Sequence, residues 1–234
     1  YLYTLYLYIQ FSISMLEAVI FDLDGTLVDS QPLQRESVNQ TFRALGFDVT
    51  ISQEEWSREV IHGGLSGTDL LKRFSIPVSK ELFLETRRPI YYALCEAKLQ
   101  PHADAKKLVE QLHKQRIPLA IASHSSQRSI ARTLEIIRLA DYFPIRVSDG
   151  EVPQPKPAPD VFLEAARQLQ VQPNRCIVIE DSLAGLQGAK AAGMRCLVRS
   201  DPYSALDQQA YSAADLYVSD LSAISLAAME ALMI

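Results

Sequence analysis

Two aspartates two residues apart, Asp22 and Asp24, close a short apolar run at residues 17–22 and lead into a Gly-Thr turn. Residues i and i+2 of an extended chain point to the same side, so both carboxylates can address one ligand. The ends of later apolar runs carry complementary groups. Ser123 and His124 follow residues 117–122, Lys156 lies across a loop from residues 143–147, and Glu180 with Asp181 closes residues 176–180. Ligands of open parallel sheets bind beyond the carboxyl ends of the strands, so these groups are candidates for one site. An aspartate with the reference pKa of about 3.9 is ionised at neutral pH and can attack phosphorus. Its charge repels a phosphate, and a divalent cation and a lysine offset that repulsion. Glu180 and Asp181 supply further hard oxygen ligands, which favours Mg²⁺ over zinc. Lys156 can neutralise the transferring phosphoryl group and Ser123 can donate to it. The combination is what metal-assisted phosphoryl transfer requires.

Five apolar runs, at residues 17–22, 117–122, 143–147, 176–180 and 195–199, read as buried strands. Amphipathic stretches at 103–115, 127–139, 159–169 and 183–192 alternate with them and read as helices of about three turns. Such alternation predicts a doubly wound α/β fold, a parallel sheet covered on both faces. Residues 33–99 break the pattern. They show only helical periodicity, at 33–45, 52–61, 68–74 and 80–99 with a kink expected at Pro89. The expected organisation is an α/β core at 15–32 and 100–234 with an all-helical cap at 33–99, hinged at 29–32 and 100–101.

The chain has 234 residues, 48% hydrophobic and 22% charged, with a net charge of −5. No Lys/Arg run exceeds two, which argues against a nucleic-acid partner. Three cysteines without a C-x-x-C predict neither a disulfide framework nor a zinc site, and a cytoplasmic location is expected. The uncharged, tyrosine-rich start lacks the basic n-region of a secretory signal and is shorter than a membrane span, so no membrane partner is expected. Residues 1–14 read as a leader, with Met15 as the functional start.

Each chemical residue also has an ordinary use. Asp-Gly is a common turn dipeptide, Ser123 could cap the helix from Gln127, Lys156 could be a surface lysine, and Glu180 and Asp181 could favour the positive end of the next helix. The glycine-rich stretch 62–71, with Gly64, Ser66 and Gly67, reads as a mobile loop of the cap that contacts substrate. Trp56, Tyr91 and Tyr92 read as cap core.

Taken together, FDLDGTLVDS (21–30), Ser123, KPAPD (156–160) and EDSLAGLQGAKAAGM (180–194) resemble the four motifs of the haloacid dehalogenase (HAD) superfamily, in the branch with a helical cap after the first strand. The resemblance implies that Asp22 is the nucleophile, forming an aspartyl-phosphate, and that Asp24 is the acid/base. It implies Mg²⁺ held by Asp22, the backbone carbonyl of Asp24 and Asp181, with Glu180 a ligand or one step behind. It also implies that Ser123 and Lys156, with His124 beside them, grip the phosphoryl oxygens. Asp24 argues against dehalogenation, because a halide needs no protonation on leaving. β-Phosphoglucomutase members carry a cap histidine where this chain has Gln34 and a loop arginine where it has Gly67, so the resemblance favours a phosphatase of a small phosphate ester over a mutase. A phosphoaspartate or phosphate-binding module is the reading from another class. Oligomeric state is left open.

Overall fold

The computed structural model describes residues 15–61, 63–200 and 208–234. The leader at 1–14 and His62 of the glycine-rich loop lie outside the described residues. Six strands form one parallel sheet: β1 (Ala18–Phe21), β2 (Leu119–Ser123), β3 (Ile145–Ser148), β4 (Cys176–Glu180), β5 (Arg195–Arg199) and β6 (Leu216–Val218). Their spatial order is β3-β2-β1-β4-β5-β6. Central β1 pairs with β2 on one side and β4 on the other, with Phe21 in register with both Ile121 and Ile179. The chain reverses its winding direction at β1 and β4, so the crevice beyond their carboxyl ends is where such a sheet takes a ligand.

Strands β1, β2 and β4 are buried along their whole length because both faces are covered. Alternation divides β1 between the two cores. Val19 and Phe21 pack with Leu108, Leu112, Ile130 and Leu134 on one face, and Ala18 and Ile20 with Val161, Phe162 and Leu186 on the other. The covering helices are α5 (Ala103–Lys114), α6 (Gln127–Ile136), α7 (Asp160–Leu169) and α8 (Leu183–Ala191), with a short α9 (Leu226–Ala231) at the end. The first four lie close to expected spans. Helix α6 stops three residues early, and Arg138 follows in the left-handed region at φ 58°. Strand β3 starts two residues later than expected because Phe143 is a core residue of the preceding turn, packed edge-on against Phe21 at 5.6 Å.

Between β1 and β2 lie only helices: α1 (Gln31–Ala44), α2 (Gln53–Trp56) continuing into a wide π turn at Ser57–Ile61, α3 (Asp69–Arg73) and α4 (Lys80–Lys98). They share an apolar cluster of their own, including Val38, Phe42, Trp56, Leu70 and Phe83. Helix α1 begins at Gln31, two residues before the expected start, with Pro32 in its first turn, where a missing N–H is harmless. Helix α4 runs as a single element across Pro89, which lies on its exposed side. The last turns of α4 bury Leu94 and Cys95 in the α/β core. The entering and leaving chains run side by side, with Val28 bridging antiparallel to Pro101 and His102 N–H donating to Leu27 O at 2.8 Å.

Among the described residues no helix is long and apolar enough to cross a membrane. Cys95, Cys176 and Cys196 are buried free thiols.

Candidate active site

Lys156 organises the crevice. It reaches from the loop between β3 and α7 to the ends of three strands. Its Nζ donates to Asp22 Oδ1 at 2.7 Å, Glu180 Oε1 at 2.6 Å and the Ala122 carbonyl at 2.9 Å. These bonds use all three ammonium hydrogens, so contact with a phosphoryl oxygen requires exchanging one of them. Its side chain is fully buried and those of its two acidic partners nearly so, which rules out the surface-lysine use. Burial works against the Lys156 charge, but the carboxylates of Asp22 and Glu180 outweigh it and hold the ammonium above its ordinary value. Burial also pushes the Asp22 carboxyl up, to about 7; Lys156 opposes the rise and Glu180 adds to it. One ammonium between two carboxylates leaves negative charge uncompensated.

Asp22 follows β1 directly, with its N–H donating to the Ile179 carbonyl of β4 at 2.9 Å. Asp24 is held from two sides: its Oδ1 accepts from Ser30 Oγ at 2.6 Å and its Oδ2 from Ser125 Oγ at 2.8 Å. Ser123 ends β2, buried, and its Oγ accepts from Ser125 N–H at 3.1 Å. It does not cap α6. Ser126 does, accepting from Ser129 N–H.

Glu180 and Asp181 part company. Besides Lys156, Glu180 takes Asp181 N–H at 3.0 Å and both the N–H and the Oγ of Ser182 at 2.9 Å. Gly185 lies so close that a Cβ there would stand 1.9 Å from the Glu180 carboxyl carbon. Glu180 is therefore a buried anchor for Lys156 and α8, with both oxygens engaged by protein donors. Asp181 leans over the first loop instead. Its Oδ1 accepts from Thr26 Oγ1 at 3.3 Å, and a Cβ on Gly25 would fall 2.0 Å from its Oδ2. Gly25 has φ +97°, so both backbone conformation and this close approach require glycine.

His124 points its Nδ1 at Asp149, a buried residue after β3 that sequence reading missed, and the ring is more than half exposed. Asp149 also accepts from Lys156 N–H at 3.3 Å. Ser66 binds Asp69 with both its N–H, at 2.9 Å, and its Oγ, at 2.6 Å, which starts α3, and Gly64 is exposed. Gly67 lies against Arg87 of α4.

Residues 19–198 match the family described as haloacid dehalogenase-like hydrolase. The chain belongs to that family. It is 30% identical over 202 residues to protein CbbY of Cereibacter sphaeroides, covering 81% of this chain and 86% of that one. It is also 30% identical over 190 residues to the phosphorylated carbohydrates phosphatase of Thermotoga maritima, covering 76% and 82%. The crystal structure of CbbY from Rhodobacter sphaeroides in complex with phosphate superposes with a TM-score of 0.80 at 27% identity, over 92% of this chain and 99% of that one. A mutant of that protein in complex with xylulose-(1,5)bisphosphate gives a TM-score of 0.79 at 27% identity, over 91% and 98%.

Membership makes this chain a phosphoric monoester hydrolase and implies a divalent metal. The hydrolase's own residues fit one. Asp22 and Asp181 offer hard oxygens beyond adjacent strands, and the excess negative charge around Lys156 favours a second cation. Among the described residues no three acidic, His or Cys side chains form a ready-made cluster, so the hydrolase has two carboxylates and the main chain to offer.

The His124–Asp149 contact gives the hydrolase a pH-dependent element. The Asp149 bond holds the His124 imidazole above its ordinary value, against the pull of burial. The charged form is thus favoured on folding, and its stabilisation is full below the unfolded value of about 6.5 and lost as pH rises through the higher folded value. His124→Gln should therefore lower the Tm at pH 5.5 and bring it close to the parent at pH 8.5. An equal loss at both values would remove the charge from the contact.

Proposed function

We propose that the protein is a Mg²⁺-dependent phosphatase that hydrolyses a small phosphate ester, a phosphorylated sugar or similar compound, through an aspartyl-phosphate on Asp22. The observation that carries this reading is the pair of differently held carboxylates: Asp22 fixed by a buried ammonium, and Asp24, two residues on, fixed by two hydroxyls. In the first half-reaction Asp22 forms a bond to phosphorus as the ester P–O bond breaks, and Asp24 gives its proton to the leaving alkoxide. In the second, Asp24 takes a proton from water, the water oxygen bonds to phosphorus, and the bond to Asp22 breaks to release phosphate. Ser30 and Ser125 hold Asp24 in place for both transfers. Ser123 and Lys156 stabilise the phosphoryl oxygens, Lys156 by exchanging one of its present bonds, and His124 lies at the rim. Mg²⁺, held by Asp22, Asp181 and the Asp24 carbonyl, would neutralise phosphoryl charge as the bond to Asp22 forms. The helices between β1 and β2 act as a cap that excludes water and selects substrate. The relatives act on or bind phosphorylated carbohydrates, which supports the substrate class. Three unpaired thiols fit a reducing cytoplasm.

Phosphate release from a panel of sugar phosphates, nucleotides and other small esters, with Asp22→Asn as the blank, tests this reading. Release should depend on Asp22 and fall on the order of 10²-fold or more when Mg²⁺ is chelated. Sugar-phosphate isomer formation without net phosphate release would make the protein a mutase, and a persistent phosphoprotein without turnover a signalling module.

A further inference from the structure

The aim of the Asp181 carboxylate is set by its main chain. Asp181 stands between the last residue of β4 and the first turn of α8, and the two peptide planes that flank its Cα fix the direction in which its side chain leaves. The plane before it is held by the Asp181 N–H, which donates to Glu180 Oε2 at 3.0 Å. The plane after it is held at both edges. The Ser182 N–H donates to the same Glu180 oxygen at 2.9 Å, and the Asp181 carbonyl accepts from the Tyr211 hydroxyl at 3.0 Å. Glu180 is the adjacent residue and moves with this turn. Tyr211 reaches it from 30 positions away and ties it to a different part of the sheet.

Tyr211 is itself firmly seated. It closes the short 3-10 turn Gln208–Tyr211 ahead of β6, is 3% exposed, and shares an apolar cluster with Leu186, Met194 and Val198. Its ring meets that of Tyr217 on β6 with 5.7 Å between centroids, and its carbonyl accepts from Ala214 N–H at 2.9 Å. A buried phenol hydroxyl needs a partner, and this one donates to a main-chain oxygen of a carboxylate residue in the crevice. The side chain of Asp181 has little slack. Its Oδ1 accepts from Thr26 Oγ1 at 3.3 Å, and its Oδ2 lies where a Cβ on Gly25 would stand. Rotating the plane that Tyr211 holds would displace the carboxylate from this fit.

We infer that Tyr211 is the positioning residue of Asp181, fixing through the main-chain carbonyl where the carboxylate can share a divalent cation with Asp22 and the Asp24 carbonyl. Outer partners of metal-holding side chains act in this way, setting orientation and hence affinity without touching the ion. The inference rests on the Mg²⁺-dependent phosphatase reading above. It also gives the edge of the sheet a part in that reading, because β6 carries the Tyr217 ring against which Tyr211 packs.

The test is Mg²⁺ binding by the full chain without substrate, read as the rise of Tm with Mg²⁺ concentration in the parent, Tyr211→Phe, Tyr217→Phe and Asp181→Asn. Phenylalanine keeps the buried ring and removes only the donor. Tyr211→Phe should bind Mg²⁺ about 10-fold more weakly, a part of the loss in Asp181→Asn. The Mg²⁺ concentration for half-maximal phosphate release should rise by the same factor, while KM for the ester at saturating Mg²⁺ stays at the parent value. Tyr217→Phe, which loses the other hydroxyl of the ring pair, should keep the parent's Mg²⁺ affinity. If Tyr211→Phe melts earlier without metal yet binds Mg²⁺ as the parent does, the bond is structural only and the assignment falls, while phosphate release by the parent leaves the phosphatase reading standing. Equal weakening in both phenylalanine variants, or a parent whose Tm does not respond to Mg²⁺, overturns it as well. Tyr211-dependent Mg²⁺ binding by a parent that releases no phosphate would sink the phosphatase reading and keep Tyr211 as the residue that positions Asp181.

Discussion

Asp22→Asn should abolish phosphate release while leaving a fully folded protein. Removing a covalent nucleophile costs on the order of 10⁴- to 10⁶-fold in kcat when its partners act as a unit with it. The local geometry confines the damage to chemistry. An asparagine carbonyl can still accept the Lys156 hydrogen bond that Oδ1 now takes, and Glu180 keeps its own bond to Lys156. The stability effect has a definite sign in the presence of a chelator. Folding raises the Asp22 carboxyl from an unfolded value of 3.8 to about 7, chiefly by burial, so between those values the folded state holds a proton that the unfolded state has lost. Stability of the parent therefore falls through that window, and a neutral amide removes the slope. Relative to the parent, the Tm of Asp22→Asn should rise from pH 4 to pH 7. Retained turnover would remove Asp22 as nucleophile, and a collapsed Tm at every pH would make its carboxylate a structural requirement.

The part of this site that could be read from sequence is the part that lies at strand ends. Continuous apolar runs mark buried parallel strands, and the rule that ligands bind beyond their carboxyl ends picks out Asp22, Ser123 and Glu180 without any knowledge of the structure. Asp149 escaped the same rule for a local reason. The strand's last residue, Ser148, is polar, so the apolar run ends one residue before the strand does and the residue after it is overlooked. Ser30 and Ser125 were out of reach because a serine near an aspartate has many uses, and only the fold brings Ser125 across 101 positions to Asp24. Glu180 shows the limit of residue chemistry: its type leaves open whether it is a metal ligand or one step behind, and only the fold shows that Ser182 bonds it and that it packs on the bare Cα of Gly185. The three-residue β6, only half-buried, and the six-residue α9 are too short to show a period.

Lys156→Met should be the most destabilising single change in the site. Methionine fills much of the volume of the lysine stem but leaves Asp22 and Glu180, both buried, facing each other without the ammonium that now bonds to each within 2.7 Å. Removing one partner of a buried ionic cluster costs about 3–5 kcal/mol, because the remaining charge cannot return to water. For a chain of this size that is a loss of roughly 10 °C or more in Tm. Two controls separate the charge from packing. Adding Glu180→Gln removes one of the stranded carboxylates, so the double variant should be more stable than the sum of the single effects, a coupling expected only for groups in one network. Acid should have the same effect, since protonating the stranded Asp22 carboxyl, which burial already pushes up, removes the repulsion, and the deficit of Lys156→Met should shrink from pH 8 to pH 5. If thermal unfolding shows additive losses and a deficit independent of pH, Lys156 is held in the fold by its stem, and its charge is available to the phosphoryl group alone.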